Sequence, residues 1–143
     1  MKNCVVFDLD GTLADCSHRL GYVQTKPKNW NAFFAGIPLD IPIESVTSKL
    51  ELHDTNIIVT ARPESTKSDT VKWLNKHGIQ YVDIYFRKSG DFRDDAIVKS
   101  EILDQLLKDG YNPILVYEDR KKVISMWRAR GLEVVDCGTG EDF

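Results

Sequence analysis

Cysteine is scarce in this chain of 143 residues, and Cys4, Cys16 and Cys137 form an odd set with neither metal-ligand nor redox-pair spacing. That excludes a disulfide scaffold and a zinc ribbon, and it leads us to expect reduced thiols in a cytoplasmic protein. Long hydrophobic runs are missing too, so no membrane span is expected. Asp8 and Asp10 interrupt the first apolar run at once, which argues against a signal-peptide core there. Positive charge is not in excess. The 19 Lys and Arg face 22 Asp and Glu, a formal net charge of −3, which excludes a strongly basic nucleic-acid coat but not a local basic patch. No G-x-x-x-x-G-K-[ST] phosphate loop occurs, and there is no repeat or low-complexity stretch.

What is present is ordinary globular composition, 42% hydrophobic and 29% charged, enough for one domain with its own core. Short runs, apolar on both faces, read as buried strands: Asn3–Leu9, Asn56–Ala61, Tyr81–Phe86, Pro113–Glu118 and Glu133–Cys137. Helical patterns lie between them. One opens at Pro42 with Ile43, Val46 and Leu50 as its stripe; others run Glu64–His77, Asp94–Lys108, with Ile97, Val98, Ile102, Leu103 and Leu106 inward, and Asp119–Arg130. Strand alternating with helix predicts an α/β fold with a doubly wound, parallel, Rossmann-like sheet. Residues 18–40 break the rhythm. Their aromatics, Tyr22, Trp30, Phe33 and Phe34, suggest a small packed insertion after the first strand. Trp30, Phe33 and Phe34 read as its core, with stacking on a nucleobase as the alternative.

In open α/β sheets, ligands bind beyond the carboxyl ends of the strands. The polar residues collect there. Asp8 and Asp10 end strand one, Thr60 and Arg62 end strand two, Glu118 and Asp119 end strand four, and Lys99 comes from the helix after strand three. Residues i and i+2 of a strand share a side, which lets both aspartates reach one region. Carboxylates from two strand ends suit Mg²⁺, and the hydroxyl and fixed positive charges suit a phosphoryl group. Singly, each has a plainer reading. A D-x-D is often a turn, a helix lysine is usually solvated, and Glu118–Asp119 also suits a helix cap. Together, in this order, they point to phosphoryl chemistry.

The stretches "DLDGTLAD", "VTARP", Lys99 and "YEDR" resemble the four motifs of the haloacid dehalogenase-like phosphohydrolase superfamily. By that resemblance Asp8 is the nucleophile and Asp10 the general acid/base. The backbone carbonyl of Asp10 joins Asp8 and Asp119 around Mg²⁺, supported by Glu118, and Thr60 and Lys99 hold phosphoryl oxygens. An aspartate at the second position points to phosphate-ester hydrolysis. Over most of the chain, "DGTLADCSHR", "VTARPEST", "FRKSGDFRDDAIVKSEIL" and "YEDRKKVISMWRARGLEVVDCGTGEDF" are similar to the phosphatase domain of bacteriophage-type polynucleotide kinase/3′-phosphatases. The resemblance implies one phosphatase domain over residues 1–143, with 18–40 a cap-like insertion, and no kinase half. It assigns substrate contacts to Arg19, Arg62, Arg87, Asp95 and Arg120. The expected partners are nucleic-acid 3′-phosphate ends or nucleotides, and the expected state is a monomer or weak dimer. A (deoxy)nucleoside monophosphate phosphatase and a sugar phosphatase are the enzymatic alternatives. A phospho-receiver domain would need its aspartate at the end of a middle strand, where "YFRK" stands instead.

Overall fold

A computed structural model describes residues 1–138 of the chain; the closing Asp142–Phe143 of the last motif lies outside them. Its strands are β1 (Lys2–Phe7), β2 (Ala14–Asp15), β3 (Ile41–Pro42), β4 (Asn56–Pro63), β5 (Asp83–Arg87), β6 (Tyr111–Glu118) and β7 (Val134–Asp136). Its helices are α1 (Gly21–Gln24), α2 (Trp30–Ala35), α3 (Glu44–Thr47), α4 (Lys67–Lys76), α5 (Asp95–Lys108) and α6 (Lys121–Ala129). Five strands form one parallel sheet in the order β5-β4-β1-β6-β7, the α/β doubly wound arrangement expected from the alternation.

β1 lies in the middle and is buried on both faces. Cys4 and Val6 point to one side, where Val98, Ile102, Leu103 and Leu106 of α5 and Val123 and Trp127 of α6 cover them. Val5 and Phe7 point to the other, against Trp73 and Leu74 of α4, Val46 of α3 and Leu13. Burying a side chain of this size stabilises by roughly 1.5–3 kcal/mol, which explains why the central runs show no polar alternation. Phe7 also stacks on Tyr117 of β6, ring centroids 4.5 Å apart.

Three expectations need correcting. No long helix opens at Pro42. That residue pairs with Ala14 in the antiparallel β2–β3 ribbon, and only the single turn of α3 and a 3₁₀ turn at Leu50–Leu52 follow. β-branched Val46 and Thr47 followed by Ser48 give such a helix little intrinsic support, and the strand pairing claims its start. Ile97 is half exposed rather than inward. Trp30 and Phe34 do not belong to the interior of the insertion. Its core is Cys16, Leu20, Val23 and Phe33; Phe34 packs at its edge and Trp30 is exposed. Among the described residues, no helix is long and apolar enough to cross a membrane.

Candidate active site

Asp8 follows β1 directly. Its backbone N–H donates to the Tyr117 carbonyl at 3.0 Å, so the ladder to β6 runs one residue past the strand and delivers the side chain to the carboxyl edge of the sheet. The chain then turns about Leu9, whose carbonyl accepts the N–H groups of Thr12, Leu13 and Ala14. Gly11 takes φ +81° in this turn, and a Cβ there would lie 2.0 Å from Asp119 Oδ2. The turn therefore needs glycine twice over, for its dihedral and for the approach of Asp119.

Around Asp8 the charges are buried and ordered. Lys99 Nζ donates to Asp8 Oδ1 at 2.8 Å and to Glu118 Oε1 at 2.8 Å, and Thr12 Oγ1 donates to Asp8 Oδ2 at 3.0 Å. Glu118 also accepts from Trp127 Nε1 and from the backbone N–H groups of Asp119 and Arg120, just ahead of α6. It thus fills both roles the sequence left open, facing the lysine and closing the approach to the helix. Carboxylate oxygens of Asp8, Glu118 and Asp119 come within 4.8 Å of one another. Burial, the largest influence, raises the affinity of Asp8 for a proton, but the charge of Lys99 and the hydrogen bonds from Asp119, Glu118 and Lys99 together hold its pKa below the usual carboxylate value. Burial and then the charge on Asp8 push Glu118 and Asp119 upward. Lys99 answers one of three clustered acids. A hard divalent cation with oxygen ligands fits what remains.

Asp10 turns away from that cluster. Arg62 donates to it from Nε at 3.1 Å and Nη2 at 2.6 Å, and Arg19 from Nη2 at 2.8 Å. Burial pushes Asp10 up, but Arg62 and then Arg19 bring it below its ordinary value. A further acid completes the group. Asp40 accepts from Arg19 Nε at 2.8 Å and Nη2 at 2.7 Å and from Arg62 Nη2 at 3.3 Å, while His18 Nε2 lies 2.7 Å from its Oδ1. Trp73 Nε1 donates to the Asp40 carbonyl at 2.8 Å. The sequence reading missed Asp40. The sequence carries no signal for it, since the need of two buried guanidinium groups for more than one counter-charge shows only once the fold brings Arg19 and Arg62 together.

A third group lines the same cavity as Asp8 and Asp10. Arg87 and Arg120 each pair with one oxygen of Asp95, at the start of α5. Thr60, almost fully buried, accepts the Arg62 backbone N–H at 3.1 Å. Asp8, Asp10, Thr60, Arg62, Arg87, Asp95, Lys99, Glu118, Asp119 and Arg120 all border one cavity of about 480 Å³; Arg19 stands behind it, reaching the site through Asp10 and Asp40. The Asp10 carboxylate is not part of the acidic triplet. Cys16 is buried in the insertion, and burial followed by the neighbouring Asp10 pushes its thiol up, which removes it as a nucleophile.

A sequence family described as the phosphatase domain of polynucleotide kinase PNKP matches residues 2–143. The chain belongs to that family. It is therefore a phosphoric monoester hydrolase with a haloacid dehalogenase-like fold. The PNKP phosphatase-domain chain is 27% identical over 132 residues to a protein of Autographa californica nuclear polyhedrosis virus named for a bifunctional polynucleotide kinase/RNA ligase. That match covers 87% of this chain and 17% of the viral protein. Among solved structures, a chain of the Pnkp1/Rnl/Hen1 RNA repair complex superposes with a TM-score of 0.81 at 24% identity, covering 99% of this chain and 44% of the other. A haloacid dehalogenase-like hydrolase from Streptococcus pneumoniae gives 0.68 at 19% identity, covering 99% and 88%. The PNKP phosphatase-domain chain thus spans under half the length of the RNA-repair chain and less of the viral relative.

Proposed function

We propose that the chain removes a terminal 3′-phosphate from nucleic-acid ends, with Mg²⁺, through a phosphoaspartate on Asp8. The observation that carries this reading is the division of labour between the two acids of β1's edge. Asp8 is held by Lys99 within an acidic triplet, while Asp10 is held by two arginines within the same cavity. An Asp8 oxygen attacks phosphorus, the phosphorus–oxygen ester bond breaks, and the leaving sugar oxygen takes a proton through Asp10; because Arg62 and Arg19 hold Asp10 ionised in the free protein, that proton arrives on the monoanionic phosphate of the substrate. Water then attacks the phosphoaspartate, giving its proton to Asp10 and releasing inorganic phosphate and the free Asp8 carboxylate. Asp8, Asp119, the Asp10 carbonyl and Glu118 would hold Mg²⁺, which when bound offsets the charge of the phosphoryl group. Lys99 and Thr60 keep phosphoryl oxygens in line. Arg62, on the cavity wall, combines a hold on Asp10 with reach toward the phosphate. Arg87, Asp95 and Arg120 form a fixed rim that positions the flanking strand. Residues 18–40 act as a small cap. The free thiols Cys4, Cys16 and Cys137 support a reducing, cytoplasmic setting.

A second reading is a nucleoside monophosphate phosphatase, favoured by Trp30, Phe33 and Phe34 on the cavity wall. Phosphate release from a 3′-phosphorylated oligonucleotide, its 5′-phosphorylated isomer and the 3′- and 5′-mononucleotides separates the two. The proposal expects the 3′-phosphorylated oligonucleotide to give the highest kcat/KM. Better turnover of free nucleotides would replace it with the second reading.

A further inference from the structure

A second cavity lies at the opposite end of the sheet. Asn56 opens β4, whose far end brings Thr60 and Arg62 to the phosphate site. Asn56 borders a cavity of about 860 Å³, and none of the residues around it borders the first cavity.

Asn56 is only 6% exposed. Its Nδ2 donates to the Leu50 carbonyl at 2.9 Å. That bond fixes the amide, because turning it over would set two oxygens face to face. Oδ1 is therefore an acceptor, and no donor among the described residues meets it. His77 supplies a second such atom on the same wall. Its Nε2 is buried without a partner among the described residues, and its ring is held against Trp73 with centroids 4.7 Å apart. A buried polar atom left unmet costs stability, so two of them on one cavity call for a partner that the fold does not supply.

The charge around this cavity has one sign. Glu44 of α3, Glu51 of the 3₁₀ turn and Asp54, ahead of β4, stand exposed on its border. Among the described residues no lysine or arginine borders it. The acids are spread out. Three acid, cysteine or histidine ligand atoms come within 4.8 Å of one another, among the described residues, only at Asp8, Glu118 and Asp119. The border acids thus give a bare metal ion no cage, since a hard cation draws its oxygens to one point. Leu50, Ile79 and Val82 add apolar wall.

We infer that this cavity binds a linear alkylamine carrying two or more ammonium groups. An ammonium has three N–H donors and no acceptor. One such group meets Asn56 Oδ1, and the neutral His77 ring accepts through Nε2. The other ammonium groups pair with the exposed carboxylates, and the methylenes lie on the apolar wall. The spread that denies a metal ion its cage suits charges held apart by a chain. An anion would face three carboxylates with no cation to answer it, and a neutral amide or alcohol would leave the acids without a counter-charge. The site is independent of the phosphate chemistry at the other end of the sheet.

Titration calorimetry on the whole chain tests this. The probes are diaminobutane and diaminooctane with an amine at both ends, and the controls are butylamine and butanediol. A diamine should bind one-to-one and weaken as salt is added, butylamine should bind roughly ten-fold less tightly, and butanediol should give no heat of binding. Glu51→Gln combined with Asp54→Asn should weaken the diamine roughly five-fold or more, and Asn56→Ala roughly ten-fold or more. Glu51 and Asp54 are exposed, so replacing them leaves the core intact and keeps the test decisive where Asn56→Ala weakens the fold. Asp119→Asn should bind the diamine as the parent does. The site is overturned if neither diamine binds the unmodified protein, or if the variant lacking both border acids keeps full affinity. Butanediol binding as tightly as diaminobutane overturns the ligand class, and loss of the diamine in Asp119→Asn alone places the amine at the acidic triplet instead.

Discussion

At the scale of single residues, the two aspartates of β1's edge differ in their partners, and their variants should differ in kind. Asp8→Asn keeps the shape and one acceptor for Lys99, and the Thr12 hydroxyl can turn to accept from the new amide, but it has no nucleophilic carboxylate, so turnover should vanish while the thermal transition stays within a few degrees of the parent. Turnover within a few-fold of the parent removes Asp8 as nucleophile. Asp10→Asn should lose far more activity on a nucleotide ester than on a nitrophenyl ester, whose leaving group needs no proton. Equal losses on the two esters would argue against a general acid. Arg62→Ala removes both a hold on Asp10 and a charge beside the phosphoryl group, and should cost roughly 2–4 kcal/mol in kcat/KM. Lys121, exposed at the start of α6, should change it by less than about 0.5 kcal/mol when replaced by alanine. Similar losses in the two variants would dissociate Arg62 from the site. The acids, Thr60 and Arg62 were legible in the sequence because an apolar run of strand length fixes where a strand ends, and that end is where ligands bind; Lys99, on a helix, was legible only in company with them. Asp40 was not legible. It follows no strand run, and its importance is set by two guanidinium groups that reach it from positions 19 and 62.

At the scale of elements, the turn after β1 couples fold to chemistry. Gly11 combines a left-handed dihedral with a contact that leaves no room for a methyl group on Asp119. Gly11→Ala should destabilise by about 1–3 kcal/mol through backbone strain and should also weaken Mg²⁺ binding, because relief of the clash moves Asp119 away from Asp8. Chemical denaturation and metal titration of the same variant check both halves; a destabilised protein with unchanged Mg²⁺ affinity would separate the turn from the metal cluster. The sheet and the helices α4, α5 and α6 were readable because each carries a full apolar stripe. The segment after Pro42 misled because its stripe is real but short. Ile43 and Val46 do pack inward, yet the pairing of Ile41 and Pro42 with β2 sets the backbone direction before a helix can lengthen. Tertiary pairing overrode a weak local preference.

At the scale of the whole molecule, the clustered acids make stability depend on pH and metal together. The pKa values of Glu118 and Asp119 are raised in the folded protein by burial and by Asp8. For carboxyls shifted upward, the stabilising contribution is complete below the unfolded pKa and is lost as pH rises through the folded one. Asp8 and Asp10 are shifted downward, so their contribution is already complete above the unfolded pKa and stays constant near neutrality. Without a divalent cation, the melting temperature should therefore fall from about pH 5 to about pH 9. Mg²⁺ should restore it, with a larger gain at the alkaline end where fewer protons compete. Melting curves in chelator and in Mg²⁺ across that range test this; a Mg²⁺ shift that is the same at every pH would remove the acidic triplet as its site. The strand order carries a consequence for how the chain reaches this state. β1 brings Asp8, and it lies between β4 and β6, both of which follow it in the chain. During synthesis β1 must therefore wait, with its β6 side unpaired, until residues 111–118 have left the ribosome. A nascent chain stopped before that point holds an apolar strand with an open edge, a target for chaperones and for association with other chains. Activity and protection from aggregation should thus appear together, in one late step of elongation.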